Sequence, residues 1–175
     1  MLRIGRFNYA WTNTESVLAE VLARAMGTPV RVAAIVFLTL NTSRARIDLA
    51  ERLVRLEALG DEAAILDALR RFRRLARLRN KLNHSVYDVN GVEGTLSTQA
   101  TRVVEGPEGV EFGRVEPLDD RELARIDAAL AELRIVNAAM WAFARPAEAR
   151  VGASMPTQAS VPTQASVPAG EPVAR

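Results

Sequence analysis

The chain has 175 residues, 49% of them apolar, a mean hydropathy of zero and a formal net charge of only +2. That composition suits one globular domain with a real core, and its charge neither demands nor excludes a nucleic-acid partner. The absence of cysteine excludes disulfides, thiolate metal sites and cysteine nucleophiles, and a single histidine, His84, excludes a multi-histidine metal site within one copy.

Residues 1–6 carry charge with no apolar run behind them, so no secretory signal is expected and a cytoplasmic setting is. A first helix is predicted over 8–26, where Trp11, Val17 or Leu18, Val21, Leu22 and Ala25 recur at helical spacing. Gly27 ends it, and Thr28 and Pro29 read as the cap and first-turn residue of a second helix reaching Leu59. Asn41, Thr42 and Ser43 are placed to kink or break that helix. Its apolar stretch 32–40 is under half of the roughly 20 residues a bilayer span needs, so it reads as a buried core helix and no membrane is expected. The later face is Ile47, Ala50, Leu53, Val54 and Leu56, up to Gly60.

Asp61 is placed to cap a third helix that reaches His84, with Ile65, Leu69, Phe72, Leu75 and Leu82 on its buried side. Glycine and β-branched residues then rise, and 95–104 and 110–115 read as two strands joined by a turn at 105–109. A final helix is predicted from Asp119, with Glu122 completing a capping box, to about Ala144. Beyond it, Pro-Thr-Gln-Ala-Ser-Val occurs twice in tandem, at 156–161 and 162–167, with too little apolar content to bury. The expected fold is mainly α: an antiparallel four-helix up-and-down bundle over 1–146, a β-hairpin inserted at about 94–116 between the last two helices, and a disordered tail over 147–175.

The third helix carries the candidate chemistry. At about 100° per residue, Arg79 falls among Phe72, Leu75 and Leu82 on the apolar side, where a guanidinium needs a partner or a solvated cleft. Arg71 leans to the edge of that side, within snorkelling reach of water. Arg73, Arg77, Asn80 and His84 share one ridge, and Arg70, Arg74, Arg77 and Lys81 form a second row beside it. Seven of the twelve residues from Arg70 to Lys81 are basic, a local field suited to a phosphate backbone. An imidazole beside cationic donors has the equipment to move protons at a phosphodiester. Two other readings stay open on spacing alone. The arginines form a solvated face balanced by acids such as Glu57, Asp61 or Asp67, or Arg79 clamps a carboxylate such as Asp48 or Glu51 between two helices. Trp11 and Trp141 read as core or interface residues, Thr95, Ser97, Thr98 and Thr101 as strand hydroxyls, and no phosphate-binding glycine loop or zinc pattern is present.

The run Arg-Asn-Lys-Leu-Asn-His at 79–84 resembles the Arg-x4–6-His motif of HEPN domains, in which a polar residue, often asparagine, follows the arginine as Asn80 does here. The resemblance spans roughly 8–145, with the motif near the end of a long helix and the hairpin as an insertion. Residues 41–53 also resemble a segment of small bacterial HEPN-like proteins in which an Arg-Asn-x3-His sequence and a hairpin follow. The resemblance implies a cytoplasmic homodimer that cuts RNA by attack of the 2′-hydroxyl without metal or other cofactor, in a toxin–antitoxin or phage-defence setting. It places Arg79, Asn80 and His84 of both copies in one catalytic site, with RNA approaching over Arg70, Arg73, Arg74, Arg77 and Lys81 and an antitoxin-like protein as a further partner. The alternative is a non-catalytic helical dimer that binds protein or nucleic acid.

Overall fold

The computed structural model describes residues 2–57, 60, 62–90, 95–101, 103–106 and 109–145. Ile4, Phe7, Trp11, Thr14, Leu18, Val21 and Ala25 recur every three or four residues and all are buried, so the chain opens as a helical rod with one largely apolar stripe. The rod begins at Leu2, six residues before the expected start, and is divided into α1 (Leu2–Ser16) and α2 (Leu18–Met26). The division has a local cause. Thr14 Oγ1 donates to the Ala10 carbonyl and Ser16 Oγ to the Asn13 carbonyl, each at 2.8 Å, in competition with the backbone ladder. Gly27 closes α2 in the left-handed region (φ 60°), with its N–H directed to the carbonyls of Ala23 and Arg24.

Where one long second helix is expected, two short ones stand, separated at an extended Leu40: α3 (Val30–Thr39) and α4 (Ser43–Glu57). Thr28 is not the cap of α3. Pro29 occupies the N-cap position and the buried Thr28 hydroxyl has no partner among the described residues. Thr42 starts α4 instead, its Oγ1 accepting the Ala45 N–H at 3.1 Å. Arg46 stitches the corner, donating from Nε to the carbonyls of Phe37 (3.1 Å) and Leu40 (3.0 Å). The apolar stretch is also not the buried core helix it resembled in sequence. Only Ala33 and Phe37 of α3 are buried, whereas Val32, Ile35 and Leu38 are 42%, 67% and 69% exposed. Leu56 of α4 likewise faces solvent.

α5 (Glu62–Asn83) and α6 (Asp120–Ala144) run antiparallel, as shown by Lys81 against Glu122 at one end and Arg71 against Glu132 further along. Two contacts fix α1 beside α6: Arg3 pairs with Asp127 at 3.0 Å, and Asn137 donates to Thr14 Oγ1 at 3.3 Å. The residue numbers rise together, so the first and last helices are parallel. A four-helix up-and-down order makes them antiparallel. The division of the expected second helix into α3 and α4, at an extended Leu40, adds one element to the path.

Asp119 begins α6 as expected, its carboxylate accepting the Glu122 N–H at 2.9 Å. Asp119→Ala is expected to lower stability by about 1 kcal/mol in urea unfolding. The core face of α6 is Ile126, Ala129, Leu133, Val136, Met140 and Phe143. Trp141 is only half-buried.

Between α5 and α6 the strand content exceeds a single hairpin. β1 (Ser85–Asn90), β2 (Thr95–Ala100) and β5 (Val115–Pro117) form an antiparallel sheet in the order β1-β2-β5, and β3 (Val103–Gly106) pairs with β4 (Gly109–Phe112). The sheet therefore starts at Ser85, directly after the motif, and the predicted strand 95–104 is two strands. Gly113 lies where a Cβ would stand 2.6 Å from the Ala100 carbonyl oxygen, so only glycine allows the chain to re-enter the sheet this closely. The tail over 147–175, with its tandem repeat, and the Asp61 cap lie outside the described residues. Among the described residues no helix is long and apolar enough to cross a membrane.

Candidate active site at the end of α5

The last turn of α5 leaves carbonyls without helical partners. Hydroxyls from the sheet supply them. Ser85 Oγ donates to the Lys81 carbonyl and the Tyr87 hydroxyl to that of Leu82, both at 2.6 Å. Thr101 donates to the His84 carbonyl from both its N–H (2.9 Å) and its Oγ1 (2.8 Å), while the His84 N–H still reaches Asn80 O at 3.0 Å. The backbone of His84 is thus held from two sides. Its imidazole is exposed and has no side-chain hydrogen bond among the described residues.

Arg79 turns the other way. Its guanidinium carbon lies 5.7 Å from the ring centroid of Trp11, within cation–π range. The indole is itself fixed, stacked on Phe72 at 4.2 Å and donating from Nε1 to Glu15 Oε2 at 3.1 Å. Glu15 in turn is paired with Arg46 Nη1 at 3.0 Å. Arg79 Nη1 donates to Asn80 Oδ1 at 3.0 Å, and its Nε is buried with no hydrogen-bond partner. No carboxylate pairs with Arg79 among the described residues. The clamp expected from Asp48 and Glu51 exists, but Arg73 receives it, with Glu51 at 2.9 Å.

The basic rows divide when their partners are assigned. Arg70 faces Asp67 at 3.6 Å, and Arg71, expected to snorkel, is paired with Asp67 and with Glu132 at 3.3 Å. Lys81 is held by Glu116 and by Glu122 at 2.7 Å. Arg73 and Lys81 are therefore structural ties. Arg74 and Arg77 are exposed and have no carboxylate partner among the described residues. Asn80 and His84 stay on the solvent side of the helix, about 100° and 140° around its axis from Arg79. Within one chain the three motif residues adjoin in sequence, and among the described residues no hydrogen bond joins the Arg79 guanidinium to the His84 imidazole.

The Lys81 tie titrates in a defined direction. Burial pulls the ammonium toward a lower pKa, but the hydrogen bonds to Glu116 and Glu122 outweigh it, and it titrates above its ordinary 10.5. The hydrogen bond from Lys81 holds Glu116 below its ordinary 4.5, and burial raises Tyr87 above 10.0 despite the nearby Lys81 charge. Glu116 therefore contributes stability above pH 4.5 that is lost as pH falls through its depressed value. The contributions of Lys81 and of neutral Tyr87 are complete below their ordinary values and are lost as pH rises through the raised ones. The protection factors of the Val115 and Glu116 amides, exchange rates corrected for the intrinsic rate at each pH, are expected to be highest between these limits and to fall on both sides, and Lys81→Met should remove the acid limb.

Spacing pointed to Arg79, Asn80 and His84. It missed the indole beneath Arg79, the Glu15–Arg46 pair behind it and the Thr101 latch on His84, all of which come from other elements. Among the described residues no three His, Asp or Glu side chains cluster as a metal site would require. No family model, curated protein or solved structure matches the chain.

Proposed function

We propose that the chain is a HEPN-like, metal-independent endoribonuclease that works as a homodimer, in a toxin or phage-defence role restrained by an antitoxin-like protein. One observation carries this reading. Arg79 is propped on Trp11 with no carboxylate partner among the described residues, beside Asn80 and just over one turn before an exposed imidazole, while Arg71, Arg73 and Lys81 on the same helix are neutralised. A cation maintained without a counter-ion suits an anionic substrate. In the proposed step, His84 of one copy takes the 2′-hydroxyl proton as O2′ attacks phosphorus. The bond to the 5′-oxygen breaks, and that oxygen leaves with a proton from solvent water. Arg79 stabilises charge on the phosphorane, and the Asn80 amide orients a phosphate oxygen. The products are a 2′,3′-cyclic phosphate and a 5′-hydroxyl end.

The test is incubation of pure protein with RNA, and with DNA of the same sequence, in excess EDTA. Cyclic-phosphate ends from RNA alone, lost in Arg79→Ala and His84→Ala, support the reading. No cutting by the wild type, or equal cutting by all three, refutes it.

A second reading, a non-catalytic helical module, is favoured by α3, whose outer face of Val32, Ile35 and Leu38 is exposed and suits the apolar surface of a partner protein. It expects Ile35→Glu, and not His84→Ala, to abolish partner capture.

A further inference from the structure

We infer that the groove between α5 and α6 is a track for a nucleic-acid phosphate backbone, held by Arg74, Arg77 and Arg125. This rests on the RNA reading for its ligand but concerns binding alone, on a surface distinct from the Arg79 cradle.

The groove encloses about 690 Å³ and has a floor of Leu75, Leu78, Ala128 and Ala129. The paired alanines keep the α6 side low. Its rim is cationic because of where the acids are spent. On α5, Arg70, Arg71, Arg73 and Lys81 have carboxylates; of the three arginines with none among the described residues, Arg79 lies over Trp11, and Arg74 and Arg77 line this groove beside Arg73. Arg125 stands on the opposite wall. Its acid, Glu122, is 3.5 Å away and already bound by Lys81 at 2.7 Å. The one carboxylate in the lining, Glu132, faces Arg71. Three guanidiniums thus line an apolar floor, two with no carboxylate among the described residues and the third sharing Glu122 with Lys81.

The floor has no aromatic side chain and so no stacking platform for bases. Recognition there is by backbone charge, independent of sequence and of the 2′-hydroxyl. The groove also leads somewhere. Arg77 and His84 are seven residues apart, about 20° around the helix and about 10 Å along it, so a strand leaving Arg77 meets the ridge that carries His84. The groove holds either nucleic acid; discrimination of RNA belongs to the end of α5.

The probes are a fluorescein-labelled single-stranded RNA and DNA of equal length, titrated in EDTA with the full chain carrying His84→Ala, with anisotropy read over a salt series. Arg74→Gln/Arg77→Gln/Arg125→Gln is expected to weaken both ligands at least tenfold. It should also flatten the log–log salt slope by about 2, the value for three single-strand phosphate contacts. The control removes the same charge elsewhere: Arg31→Gln/Arg52→Gln/Arg55→Gln, all exposed on α3 and α4, is expected to change affinity less than threefold. Circular dichroism melts of both triple variants establish that they are folded. Equal weakening by the two triple variants reduces the effect to net charge and overturns the proposal. So does an unchanged slope in the groove variant, or no binding by the parent at low salt. Binding through the groove without any cleavage by the wild type sustains this inference and refutes the nuclease.

Discussion

Mixing Arg79→Ala protein with His84→Ala protein is expected to restore RNA cleavage that neither shows alone. Each substitution by itself should lower the rate by about 10²- to 10⁴-fold, the range for removing a general acid–base or an electrostatic stabiliser from a phosphoryl centre. The recovery on mixing follows from direction. Arg79 lies over Trp11 and His84 is exposed about 140° further round the helix, so in the proposed dimer one copy supplies the arginine and the other the histidine at each phosphate. A mixed dimer carries one intact arginine on one chain and one intact histidine on the other. Cyclic-phosphate product after subunit exchange is the readout. A mixture as inactive as its components would exclude a site shared between copies.

The largest stability effect is expected from Arg46. Its guanidinium joins Glu15 to the carbonyls of Phe37 and Leu40 and lies 4.1 Å from the Phe37 ring centroid. Glu15 is buried, with Trp11 Nε1 as its other donor. Arg46→Met leaves that carboxylate desolvated and half-partnered, at a cost of about 3 kcal/mol, the lower end for breaking a buried ion pair because Arg46 retains some solvent contact. Glu15→Leu combined with Arg46→Met removes both charges and should be less destabilising than Arg46→Met alone. Urea unfolding of the two single variants and the double variant measures the coupling; simple additivity would show that the two side chains act independently. The same pair orients the indole under Arg79, so Arg46→Met should also weaken RNA cleavage without touching the motif.

Particular elements show how far local rules reach. The span of α5 was readable because Ile65, Leu69, Phe72 and Leu82 recur at one period and all are buried. Gly27 and Asp119 were readable because each solves a local backbone problem, a left-handed terminus and an unpaired N–H. α3 was misread as core because nearly every position in it is apolar, so no pattern marks which side is covered. β1 was missed because Ser85–Asn90 is short and follows a helix directly; its pairing with Thr95–Ala100 supplies the order. The parallel course of α1 and α6 rests on contacts more than a hundred residues apart, Arg3 with Asp127 and Thr14 with Asn137, which no local pattern marks.

The motif followed the same division. Sequence alone determined that Arg79 shares the apolar side of its helix and that Arg77 and His84 share a ridge, because helical rise and twist are properties of the local backbone. Tertiary structure alone decided which cations remain available, assigning Asp48 and Glu51 to Arg73, Glu116 and Glu122 to Lys81, and an indole to Arg79. The physical reason is range: backbone geometry is set within a few residues, whereas a charge is neutralised by whatever the fold brings within about 4 Å, from any distance along the chain.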